Sequence, residues 1–160
     1  MRIAKKGVAI STVSHPEALD VALCYGWIDG LRKGESDETF LQKFTPRAKR
    51  SLWSKINREK VLALIATGHM KPAGLAEIER AKKDGRWEAA YEAQSKSEVP
   101  PDLQAALDRN AKAKAFFATL SSQNRYAVLL RIHIAKKAET RARRIETFVA
   151  MLERGETLHP

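Results

Sequence analysis

The sequence predicts an α+β protein: a small N-terminal strand–helix–hairpin layer followed by helices, with an all-helical C-terminal unit packed on it. Three observations carry this expectation. Strand-like text is confined to the first 44 residues. From Ser54 onward, apolar residues recur at helical spacing between capping residues and terminating glycines. A polar stretch ending in Pro100-Pro101 interrupts the chain. The expected organisation is an α+β domain over 1–90, a linker over 91–101 and a helical unit over 102–160.

Taken in order, Met1–Lys6 reads as a short strand, Gly7 breaks it, and Val8–Val13 resumes it with β-branched residues. Ser14 is the expected N-cap of a helix. Glu17 stands three residues on, as in a capping box, and Pro16 fits the first turn. Gly26 ends that helix. Trp27–Lys33 and Thr39–Phe44, separated by Gly34-Glu35-Ser36-Asp37, read as a hairpin. Thr45–Arg50 is a basic loop. Ser54 caps a helix reaching about Thr67, with Ile56, Val61, Leu62, Leu64 and Ile65 as its apolar positions. Pro72 opens the next helix and Gly85 closes it. Four helices follow the double proline, the last carrying Ile145, Phe148, Val149 and Leu152 as a stripe.

Composition bounds the function. Hydrophobic residues at 44% supply a core and set the chain apart from disordered sequences. The formal charge of +10 favours an anionic partner, whether nucleic acid, phosphorylated small molecule or anionic lipid. Residues 99–160, with 11 basic and 6 acidic side chains, carry half of it. Cys24 is the only cysteine, so no intramolecular disulfide forms, which suits a reducing compartment. No apolar run is long enough for membrane insertion. The expectation is a cytoplasmic protein.

The combination of Glu17–Asp20, Cys24–Gly30, Phe44–Arg47, Ser51–Ser54 and Asn57 resembles the YdeI/OmpD-associated family. The resemblance continues through Gly85–Trp87, Ala90-Tyr91 and Lys136–Ile145. It implies a bacterial cytoplasmic protein associated with bacteriocin protection or stress resistance, with no defined biochemical activity and no catalytic residues to carry over. Members of the family usually have further residues ahead of the stretch matching Arg2–Lys6. The resemblance therefore implies either a missing N-terminal element or a shortened member, with the first strand as an exposed or borrowed edge open to a homo-oligomer.

Two clusters are candidate sites. Arg47, Ser51, Ser54 and Asn57 gather at a helix N-terminus, where free N–H groups, the positive dipole end and flanking donors favour an anion. Asp29, Trp27 and Trp53 complete this candidate ligand site. Asp29 also fits an ion pair with Arg47, and both Trp residues are expected in the core. The second cluster, Arg131, Lys136, Lys137, Arg141, Arg143 and Arg144, spans a helix end and the next helix start. Arg141, Arg143 and Arg144 oppose the dipole of their own helix, which points to an external anion such as nucleic acid. No His/Cys/Asp/Glu set has metal spacing, and no glycine-rich phosphate loop or nucleophile elbow is present. No catalytic residue, cofactor or metal is expected. The leading reading is a non-enzymatic protein that binds a small anion or a protein partner. A nucleic-acid binder and an enzyme with a polar cleft around Asp29 and Arg47 are the alternatives.

Overall fold

In the computed structural model, which describes residues 1–160, the first helix starts where its capping residues place it. Helix α1 (His15–Cys24) is opened by Ser14, whose hydroxyl accepts the Glu17 N–H while the Glu17 carboxylate accepts the Ser14 N–H at 2.8 Å. Gly26, with φ at +76°, reverses the chain into strand β2 (Trp27–Gly34). Strand β3 (Thr39–Pro46) pairs antiparallel with β2 on one side and with β1 (Arg2–Ala4) on the other, giving the order β1-β3-β2. A register shift falls between Asp29 and Arg32. Buried Gln42 sits under it and donates to Gly30 O at 3.0 Å and Lys43 O at 3.2 Å, so the irregular backbone keeps its hydrogen bonds.

Val8–Val13, expected to resume the first strand, forms none. Pairing explains this. β1 bonds β3 through one edge, and its outward Ala4 N–H is taken at 2.9 Å by the Thr12 hydroxyl rather than by another strand. An edge three residues long with that donor held by a side chain leaves little backbone for a second chain to pair with.

Helices α2 (Lys55–Ala66) and α3 (Pro72–Lys83) complete this part of the molecule. Its core gathers Leu19 and Leu23 of α1, Val61 of α2 and Ile78 of α3 around Trp53 and Trp87. Burial of each of these side chains contributes roughly 1.5–3 kcal/mol. Val61 is the one fully buried residue of α2, and Ile56, Leu62 and Ile65 face outward. The apolar periodicity of α2 thus exceeds what its core contact uses.

The chain divides into two units, Met1–Ala90 and Tyr91–Pro160. The second contains a 3-10 turn (Gln94–Lys96) and helices α4 (Pro101–Asp108), α5 (Ala111–Thr119), α6 (Ser122–His133) and α7 (Ala138–Glu153). Asn110 and Ser121 cap α5 and α6 with their side chains. Leu103, Leu107, Phe117, Val128, Ile132, Phe148 and Leu152 form its core. Residues 91–100 run along α6, where the Tyr126 hydroxyl donates to Glu92 O at 3.1 Å. No helix is long and apolar enough to cross a membrane.

Candidate functional site

The basic loop ahead of α2 is held from inside. Arg47 is 5% exposed; its guanidinium lies 3.7 Å above the Trp53 ring and donates to Leu52 O at 3.0 Å. Arg86, also buried, donates to Ser51 O at 2.7 Å while Asp84 balances its charge. Arg80 reaches Ala48 O at 3.3 Å. Trp53 itself is 2% exposed and meets Trp87 edge-on at 5.0 Å. Arg58 closes the stack, 5.0 Å over Trp87 and donating to Trp87 O at 2.8 Å. A tight loop turns carbonyls inward, where water cannot reach them, and guanidinium groups satisfy several at once.

That use of Arg47 changes the picture of the loop. Its guanidinium supports the backbone and a core Trp instead of facing a solvent-side anion. Ser54 accepts the Asn57 N–H at 3.2 Å, which engages one of the donors an anion would take. Asp29 does not pair with Arg47. It accepts from His15 Nε2 at 3.3 Å, in a pair stacked against Phe44 at 6.1 Å between ring centres. Asp29, Arg47 and Asn57 therefore serve different local networks. Burial pushes the Cys24 thiol up, away from the thiolate form a nucleophile requires.

Trp27 departs from the expected core position. It is 42% exposed at the start of β2. Around it, Met1, Ala18, Val21, Ala22, Tyr25 and Phe44 line an open apolar recess of about 360 Å³. Val21 is 60% exposed and Tyr25 51%. The recess exists because Gly26 folds β2 back beside α1, bringing the outer face of α1 next to the sheet. Every exposed large apolar side chain of the protein lies between Met1 and Leu75. The expectation of a core position rests on residue type alone, whereas Trp27 as a candidate ligand-site residue is compatible with its exposure. The signal available was the i, i+4 pair Val21 and Tyr25 on the α1 face opposite Leu19 and Leu23.

The second basic cluster is partly internal as well. The connection from α6 to α7 spans only Ile134–Lys137, so cations in the first turns of α7 reach the last carbonyls of α6. Arg141 donates to Ile132 O at 3.1 Å and clasps Asp102 through two bonds; Arg144 donates to Arg131 O. These two arginines supply the C-terminal capping of α6, which accounts for their position against the dipole of α7. The Asp102 carboxyl is held below its ordinary range, chiefly by its hydrogen bond from Arg141. Arg131 bonds Ala127 O within its own helix. Lys136, Lys137 and Arg143 stay on the surface. No group of three or more His, Cys, Asp or Glu side chains forms a metal site.

These features define a protein of two units: an α+β unit with an exposed aromatic recess and a four-helix unit braced by arginines. Residues 96–155 match the family described as "Bacteriocin-protection, YdeI or OmpD-Associated". Residues 1–77 match a domain of unknown function (DUF8412). Lys136–Ile145 falls in the first match, and the stretch from Glu17 to Asn57 in the second. No curated protein and no solved structure matches the chain.

Proposed function

We propose that this is a non-enzymatic, cytoplasmic protein of the bacteriocin-protection group that acts by binding a protein partner through the recess around Trp27. One observation carries the reading. An indole, a phenol, a phenyl ring and Val21 stand together at the surface of the N-terminal unit, in a recess of about 360 Å³. Contiguous exposed apolar patches mark interaction sites on natural proteins, and aromatic anchors dominate their energetics. The recess has room for one or two apolar side chains, so the occupant is a partner segment presenting a large aliphatic or aromatic anchor. The anion reading is less well supported, because Arg47 and Arg86 are engaged with loop carbonyls. The nucleic-acid reading loses Arg141 and Arg144 in the same way.

The test is a survival assay. A bacterial host producing the full chain is challenged with a bacteriocin, beside hosts producing Val21→Asp or Trp27→Ser. The unaltered chain is expected to raise survival and both variants to lose that effect, with purified variants unfolding within a few degrees of the parent. Equal protection by the variants would overturn the assignment of the recess. Absence of protection by the parent would overturn the protective role.

A further inference from the structure

A second cavity, in the other unit, has a different chemistry. It measures about 100 Å³ and lies between the segment 91–100 and α6. Tyr91, Tyr126, Glu92, Glu98, Leu129 and Leu130 contribute to its lining. At roughly 30 Å³ per water molecule, it has room for a small polar head group and a short hydrocarbon stem.

Its polar groups are unequal in charge. Arg141 is part of the lining, yet its donors are already directed to Asp102 and Ile132 O. His133 also contributes to the lining. Glu98 makes no ion pair, although the protein as a whole is strongly basic. The Tyr126 hydroxyl gives its proton to Glu92 O, so its lone pairs stay available as acceptors. Burial, reinforced by Tyr91, pushes the Tyr126 phenol up to about 12. The cavity therefore offers the Glu98 carboxylate, the Tyr126 hydroxyl as an acceptor and aromatic faces over a leucine floor. An ammonium group matches this set: it is a compact cation with three rotatable donors and is attracted to aromatic faces.

We propose that this cavity binds a primary alkylammonium group, with Glu98 meeting the charge and Leu129, Leu130 and the two phenol rings enclosing the alkyl stem. The group belongs either to a free small amine or to a lysine side chain of a partner. The site is separate from the Trp27 recess, so its failure leaves that reading untouched.

The full chain is titrated with n-butylammonium and with Nα-acetyl-lysine methylamide while backbone amide shifts are followed by NMR. Butyrate and n-butanol serve as controls. Saturable shifts are expected for residues 91–100 and 126–133 with the cations, and none with the controls. Glu98→Gln should weaken binding at least tenfold; Glu98→Asp, which keeps the charge, should stay within about threefold. Tighter binding of the lysine derivative by tenfold or more assigns the group to a partner's lysine, and the reverse order assigns it to a free amine. Shifts scattered over the surface without saturation would overturn the proposal, as would equal binding by Glu98→Gln or preference for butyrate.

Discussion

Replacing Arg141 with Gln tests how the helical unit is held together. The side chain makes two kinds of contact: a two-bond clasp on Asp102 and a bond to Ile132 O at 3.1 Å. Asp102 is 44% exposed at its side chain, so solvent screens the ion pair and its contribution is about 0.2–1 kcal/mol. The bond to Ile132 O, which also accepts the Ala135 N–H at 3.1 Å, is charge-assisted, and such bonds contribute roughly 1.5–3 kcal/mol. Arg141→Gln should therefore cost about 2–3 kcal/mol, and Asp102→Asn about 1 kcal/mol or less. With a urea dependence of about 1–3 kcal/mol per molar, the midpoint of unfolding followed by circular dichroism should fall by about 1 M for Arg141→Gln. In 0.5 M salt the cost of Asp102→Asn should shrink, whereas that of Arg141→Gln should persist. The folded-state carboxyl of Asp102 is depressed, so its contribution is fully present above the ordinary value of 3.8 and fades as pH falls below it. An Asp102→Asn loss equal to that of Arg141→Gln would refute the reasoning, because the ion pair would then be the main support and not the capping of α6.

Other predictions follow from single contacts. A Cβ at Gly74 would collide with the Cys24 carbonyl oxygen and stand 2.7 Å from Met70 Cε, where α1 and α3 approach. Gly74→Ala should therefore lower stability by about 1–3 kcal/mol through overpacking, outweighing a helix-propensity gain of at most about 1 kcal/mol. Its melting temperature should fall by several degrees, and a rise would contradict the close approach. Trp53→Ala, which removes a side chain packed between Arg47 and Trp87, should cost about 3–5 kcal/mol in denaturant unfolding; Trp27→Ala should cost far less. Hydrogen bonds from Arg2 and Thr39 hold the Glu35 carboxyl at about 2 instead of 4.5. Its contribution is present above 4.5 and is lost as pH falls towards 2. In Arg2→Gln an NMR titration should find it moved back towards the ordinary value.

The legible parts of the fold were those written in local chemistry. Ser14, Pro16 and Glu17 mark the start of α1 and Ser54 that of α2, because a cap bonds to residues three positions away. The hairpin was readable from its turn. Val8–Val13 was misleading, since β-branched residues make a strand only where a neighbouring edge is free. The site was less legible because direction, not identity, decides it. Arg47 sits in a basic loop in the sequence but points at Trp53 in the fold, and Asp29 chooses His15 from fourteen residues away. Arg141 and Arg144 oppose the dipole of α7 until the carbonyls of α6 are seen beside them. Trp27 has the composition of a core residue; its exposure depends on where Gly26 sends the strand.

The most direct test places a photo-crosslinking amino acid at position 21 of the full chain in bacterial cells, with position 49 in the basic loop as the comparison. Irradiation should give a discrete protein adduct from position 21 that disappears with Trp27→Ser, and none from position 49. A discrete adduct from position 49 alone, or an adduct from position 21 that persists in Trp27→Ser, would contradict the assignment of partner binding to the apolar recess.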